Sequence, residues 1–128
     1  MQAEGNLGGR LYHTVRVNTT SGRVELTDSA TDVVVGVIAE DPGTTVSGDD
    51  VVIHDIAAGG VGVVIIHNAT NPGQILHPTT TDGRARGTGS LGSLAVNQMG
   101  FGVALDTGAS AGDVIRFKAM PVGCAHTT

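Results

Sequence analysis

The chain is 128 residues long, carries a formal net charge of −5 from 12 acidic and seven basic residues, and is only 2% aromatic. That length suits one domain with a single core. The scattered basic residues form no stripe able to neutralise a run of phosphates, which sets nucleic acid aside, and no apolar run approaches the ~18 residues that cross a bilayer, which sets a membrane aside.

Residues 1–9 are polar and glycine-rich, with little beyond Leu7 to bury, and read as a flexible arm whose loss should leave the fold intact. They also lack the cationic start and apolar stretch of an export signal, so a soluble, non-exported chain is expected. From Arg10 to Val17 the residues alternate, with Leu11, His13, Val15 and Val17 on one face and Tyr12, Thr14 and Arg16 on the other, the period of a half-buried strand. After Thr20-Ser21-Gly22 turns the chain, residues 23–27 form a second strand that pairs with the first as a hairpin. Residues 33–39 are apolar or small on both faces, which makes a central strand, and Asp41-Pro42-Gly43 ends it because proline has no donor for a ladder. Two more strands, 50–56 and 61–67, flank Ala57-Ala58-Gly59-Gly60, and 61–66 is the most hydrophobic stretch of the chain. Residues 79–92 are dense in Gly, Thr and Ser and read as an exposed loop. Strands at 94–105 and 114–120 close the domain, and 122–128 reads as a frayed tail.

The expected fold is all-β, a small Gly-rich β-barrel or β-sandwich spanning residues 10–121, without long helices. Its core must be filled by Val, Ile, Leu and Ala, each burying less area than an aromatic ring. A domain short of large buried side chains gains apolar burial by packing identical copies together, most often in closed rings.

One phrase is written twice. Gly36-Val37-Ile38-Ala39-Glu40-Asp41 leads to Ser47-Gly48-Asp49-Asp50-Val51-Val52, and Gly102-Val103-Ala104-Leu105-Asp106 leads to Ala111-Gly112-Asp113-Val114-Ile115. Each is an apolar strand ending in an acidic turn, followed by a small-Gly-Asp corner that launches another strand. Glycine supplies the positive φ of the corner, and the Asp after it bonds its own backbone to hold the bend. Asn71-Pro72-Gly73-Gln74-Ile75-Leu76 is a partial third copy, with Gln in the place of Asp.

Groups that carry chemistry are sparse. Gly87-Thr88-Gly89-Ser90-Leu91-Gly92 matches G-x-G-x-x-G, but no strand feeds it, no helix follows, and no acidic residue stands about 20 positions on to hold a ribose. The five histidines, His13, His54, His67, His77 and His126, include no pair at i, i+2 on one strand, the spacing that aims two rings at one ion. Cys124 is the single cysteine, which excludes an intrachain disulfide and a thiolate zinc cluster. The acidic residues fall in turns without the D-x-D-x-D-G spacing of a calcium loop. No serine sits in a G-x-S-x-G elbow. The Gly-Asp-x-Val corner also serves lipoyl and biotinyl carrier domains, which need a lysine on a hairpin tip; Lys118, the sole lysine, falls inside the expected last strand. No catalytic, cofactor-binding or metal-ligating residue is assigned.

The succession Val35-Gly36-Val37-Ile38-Ala39, Ser47-Gly48-Asp49-Asp50-Val51, Pro72-Gly73-Gln74-Ile75-Leu76 and Gly102-Val103-Ala104-Leu105 with Ala111-Gly112-Asp113-Val114-Ile115 resembles the head decoration, or capsid cement, proteins of tailed bacteriophages. The resemblance covers roughly residues 20–121. It implies a β-tulip-like subunit, commonly a homotrimer. Such a subunit is made in the host cytoplasm, sits on the outer surface of the icosahedral head, and ties copies of the major capsid protein together. An N-terminal arm suits that role, because an extended segment can add a strand to a partner's sheet edge. Leu7, Leu11 and Tyr12 are its candidate apolar anchors, and Arg10 and Arg16 its candidates for pairing with acidic groups on the shell. The alternative is a small oligomeric β enzyme or ligand-binding module with a site between subunits, for which His54, Asp55, His67 and His77 are the candidates.

Overall fold

The computed structural model describes residues 1–89 and 99–125, the side chains of 122–125 excepted. Among the described residues the strands are β1 (Thr14–Val17), β2 (Val24–Leu26), β3 (Gly36–Ile38), β4 (Ile53–Asp55), β5 (Val61–Ile65), β6 (Ile75–Pro78), β7 (Ala85–Thr88), β8 (Met99–Ala104) and β9 (Val114–Ala125), with a three-ten turn at Ile56–Ala58. They form two antiparallel sheets, in the orders β2-β1-β3-β4 and β5-β9-β8-β6-β7. Neither sheet closes on itself, so of the two expected all-β architectures the sandwich is the one that fits.

Period-2 geometry explains the packing. Val37 of β3 points towards the second sheet, where the main core gathers Val64, Ile66, Leu76, Phe101, Ile115 and Phe117. Phe101 and Phe117 meet edge to face with centroids 5.6 Å apart, so two of the few aromatic rings are spent at the centre of this core. Ile38, the next residue of β3, points the other way, into a second cluster with Ala3, Leu7, Val15, Val24 and Val51. The first sheet is therefore covered on both faces, which is why a run apolar on both sides stands at its centre.

The second cluster corrects the expectation for residues 1–9. Residues 2–4 lie alongside β2, where the amide of Val24 donates to the carbonyl of Gln2 and that of Glu4 to the carbonyl of Val24, each at 2.8 Å. They also meet the 48–51 segment, through Ala3 to Asp49 at 2.7 Å and Gly48 to Ala3 at 2.8 Å. Ala3 is 0% and Leu7 3% exposed. The amide of Leu7 donates to the Thr45 hydroxyl at 2.9 Å. This segment is a strap across the first sheet and not a free arm.

Two further expectations are corrected. Residues 85–88, read as loop, form β7 against β6, and Ala85 is buried in the main core. The tail at 122–125 continues β9, where Ala125 pairs with Met99 and Cys124 with Gly100. The rest of the G-x-G-x-x-G match (90–92), the first part of the strand expected at 94–105, and His126 lie outside the described residues. No helix among the described residues is long and apolar enough to cross a membrane.

Candidate functional site

The repeated corners are built alike. Gly48, Gly73 and Gly112 have φ of 96°, 86° and 91°. Each is the third residue of a turn closed by an amide-to-carbonyl bond, from Asp49 to Val46 at 3.1 Å, Gln74 to Asn71 at 3.3 Å and Asp113 to Ser110 at 3.2 Å. The side chain after the glycine then reaches back: Asp49 accepts from Val46 N–H at 2.9 Å, Asp113 from Ser110 N–H at 3.1 Å, and Gln74, through its longer amide arm, from Asn71 N–H at 2.8 Å. The third copy is genuine, with Gln doing the bonding of Asp. These acidic residues therefore hold turns.

The candidate contact residues take different places. Leu7 is buried in the second cluster and offers no anchor to a partner. Arg10, Leu11 and Tyr12 form a half-exposed turn, closed by the amide of His13 donating to the carbonyl of Arg10 at 3.1 Å. Tyr12 sits in it at φ 65°, the positive-φ non-glycine residue among those described. That conformation costs an L-residue roughly 1–2 kcal/mol and persists only where its surroundings impose it. Here they do: its amide donates to Ile38 of β3 at 2.8 Å, its carbonyl accepts from Ile65 of β5 at 3.0 Å, and its ring packs against the main core.

Arg16 is committed within the chain. It bonds Glu25 at 3.1 Å, Asp28 at 2.8 Å and Asp32 at 2.7 Å. The bond to Asp32 raises the guanidinium above its ordinary range. Burial by itself would raise Asp32, but the backbone N–H of Asp28, Arg16 and the N–H of Ser29 outweigh it and hold the carboxyl below its usual value. An open hollow of about 650 Å³ lies beside this cluster, between Val17, Asn18, Thr31 and Val33.

The residues of the enzyme reading do not converge. His54 Nε2 bonds the Gly59 carbonyl at 2.8 Å and its ring lies 6.0 Å from that of Phe117. Asp55 caps the three-ten turn by accepting from the Ala57 amide at 2.9 Å. His54 touches the position of Gly62 near the start of β5, while His67 follows its far end, about 16 Å along the strand. His67 meets the Thr81 hydroxyl at 3.4 Å, and buried His77 donates to the Pro78 carbonyl at 2.8 Å. Among the described residues no group of three or more His, Cys, Asp or Glu side chains is placed to hold a metal ion.

Two features escaped the sequence. Asp106 grips Arg116 in a bidentate pair at 2.8 and 3.0 Å, and that guanidinium, with the Arg116 backbone N–H, pulls the Asp106 carboxyl down to about 2. The outer face of the second sheet carries exposed Val61, Leu105 and Val114, with Lys118 opposite Val61. The alternation within 61–66 and 114–118 marked both faces of these strands as apolar or long, which was the available signal.

No protein-family model matches this chain, and no curated protein sequence does. Among solved structures it is similar to the crystal structure of the head fiber gp8.5 N base in bacteriophage phi29, with a TM-score of 0.65 at 17% identity, over 98% of this chain and 97% of that one. The two chains share a fold from end to end.

Proposed function

We propose that this chain is a virion structural protein that binds the outer surface of an icosahedral head as a homotrimer and stabilises the lattice of the major capsid protein. The observation that carries this reading is the end-to-end fold likeness to the base of a phage head fiber. The order of corner phrases, which resembles head decoration proteins, supports it independently. The local chemistry agrees: Asp49 and Asp113 of the corners hold turns, and His54 and His77 each bond a backbone carbonyl. The work assigned to the molecule is contact, not bond-making.

The shell contact is assigned to Arg10, Leu11 and Tyr12, which stand half-exposed on a turn fixed to both sheets, so that little ordering is left to be done on binding. Three such turns held in one trimer act at high effective concentration, which turns weak single contacts into firm attachment. Cosedimentation of the purified protein with phage heads lacking it tests the role. Saturable binding is expected, with the Arg10→Ala, Leu11→Asp double variant at least about tenfold weaker and melting unchanged. A protein that ignores heads, or a double variant that binds as well as the parent, overturns the reading or the assigned contact respectively.

A further inference from the structure

The two sheets are unequally covered. The first has a core on each face, whereas among the described residues the second has one on its inner face alone. Strand register puts Val61, Val63 and Ile65 of β5 and Val114, Arg116 and Lys118 of β9 on its outer face. Leu105 adjoins them, its amide donating to the Arg116 carbonyl at 2.9 Å. Val61, Val114 and Leu105 are 54%, 47% and 39% exposed. A strand apolar on both sides is the pattern of a sheet covered on both sides. Among the described residues nothing covers this face, and a contiguous apolar patch of this kind marks an interaction surface.

Charge identifies what fits. Arg116 is neutralised by Asp106, but Lys118 has no carboxylate within 4 Å among the described residues. The face is therefore apolar with one cation, Lys118, opposite Val61. A second set of exposed apolar side chains, Met1, Val46 and Val52 at 52%, 65% and 51%, lies on and beside the 46–52 segment. Exposed Glu40, Asp49 and Asp50 stand there too. Arg23, bonded to the Ser47 hydroxyl at 2.6 Å, and the N-terminal ammonium at the Val51 carbonyl are the cations there, so the surface is apolar with a net acidic balance, opposite in sign to the first. A two-fold contact of the cationic face with itself would oppose Lys118 to Lys118, whereas a head-to-tail contact pairs opposite charges and closes into a ring where the rotation allows.

We propose that the outer face of β5, β9 and β8, with Lys118 opposite Val61, receives the apolar and net acidic 46–52 corner of a second copy of this chain in a head-to-tail contact. This rests on the reading of the chain as an oligomeric head protein and adds which surfaces meet and in what symmetry.

Light scattering on the full chain across a concentration series tests it. The parent is expected at a multiple of 12.9 kDa. Lys118→Glu alone, and Glu40→Lys with Asp50→Lys, should each weaken assembly at least about tenfold, and the three together should restore it. Val61→Asp with Val114→Asp should give monomers whose far-UV circular dichroism matches the parent's and whose melting matches that of the parent diluted to monomer, since both side chains stand about half exposed. A parent that is monomeric throughout, or charge reversals that leave its mass unchanged, overturns the assignment. Head cosedimentation separates the two readings. Monomers that still bind heads overturn the self-contact alone. A ring that ignores heads overturns the head role and leaves the self-contact standing.

Discussion

At the scale of single residues, this chain uses glycine and a following oxygen-bearing side chain to turn sharply at regular places. Gly112 at φ 91° meets nothing within 4 Å of an added Cβ, so its substitution tests conformation without a clash. Gly112→Ala is expected to cost about 1–2 kcal/mol, read from chemical denaturation. Asp113→Ala, which strips acceptors from the amides of Ala109 and Ser110 at 2.9 and 3.1 Å, should cost about 1 kcal/mol. Gly108 is a different case: a Cβ there would collide with Ile66 and press on Ile115, so Gly108→Ala should cost more than Gly112→Ala although its φ is ordinary. The corners were legible in the sequence because their physics is local, a positive φ and a bond across three residues. The clash at Gly108 was not, because Ile66, the neighbour it would strike, arrives from far back in the chain.

At the scale of elements, the strap shows where local reading stops. Residues 1–9 hold little apolar surface, and composition alone makes them an arm. What fixes them is supplied from elsewhere, the free edge of β2 and the backbone at 48–51, together with a pocket for Leu7. Deletion of residues 1–9 should therefore lower the melting temperature. Leu7→Ala alone should cost about 3 kcal/mol, near 10 °C for a domain of this size. An unchanged melting curve would return the segment to the status of an arm. β7 was hidden for the same reason. Ala85-Arg86-Gly87-Thr88 has no strand-like composition, and its place is set by pairing with β6 and by the Ala85 side chain in the core. The hairpin of β1 and β2 and the central β3 were readable because alternation and two-sided apolarity announce them. Of the candidate contacts, Arg10, Leu11 and Tyr12 were read as the start of a strand over 10–17; the turn they form instead, held by Ile38 and Ile65, depends on tertiary pairing, as do the burial of Leu7 and the three carboxylates around Arg16.

At the scale of the whole molecule, stability should respond to acid in two steps. Burial first, and then Arg10 and Arg84 around His13 and Arg86 near His77, disfavour the imidazolium and hold both rings below 6.5. The unfolded chain then binds more protons than the folded one as pH falls below 6.5, so stability is full above that value and declines beneath it, by up to about 1.4 kcal/mol per pH unit for each histidine. Asp32 and Asp106 are depressed from 3.8, and their contribution is present above that value and lost in stronger acid, through about 2 for Asp106. Melting temperatures between pH 8 and 5 should fall for the parent and fall less steeply for the His13→Gln, His77→Gln double variant; equal slopes would remove these rings as the cause. Tyr12 has a last consequence. One residue holds a strand of each layer, so neither layer can open while the other stays shut. The amide protons of Tyr12 and Ile65 should then exchange with deuterium at a common rate, set by the rupture of the entire molecule, and the protein should give way under load as a single unit.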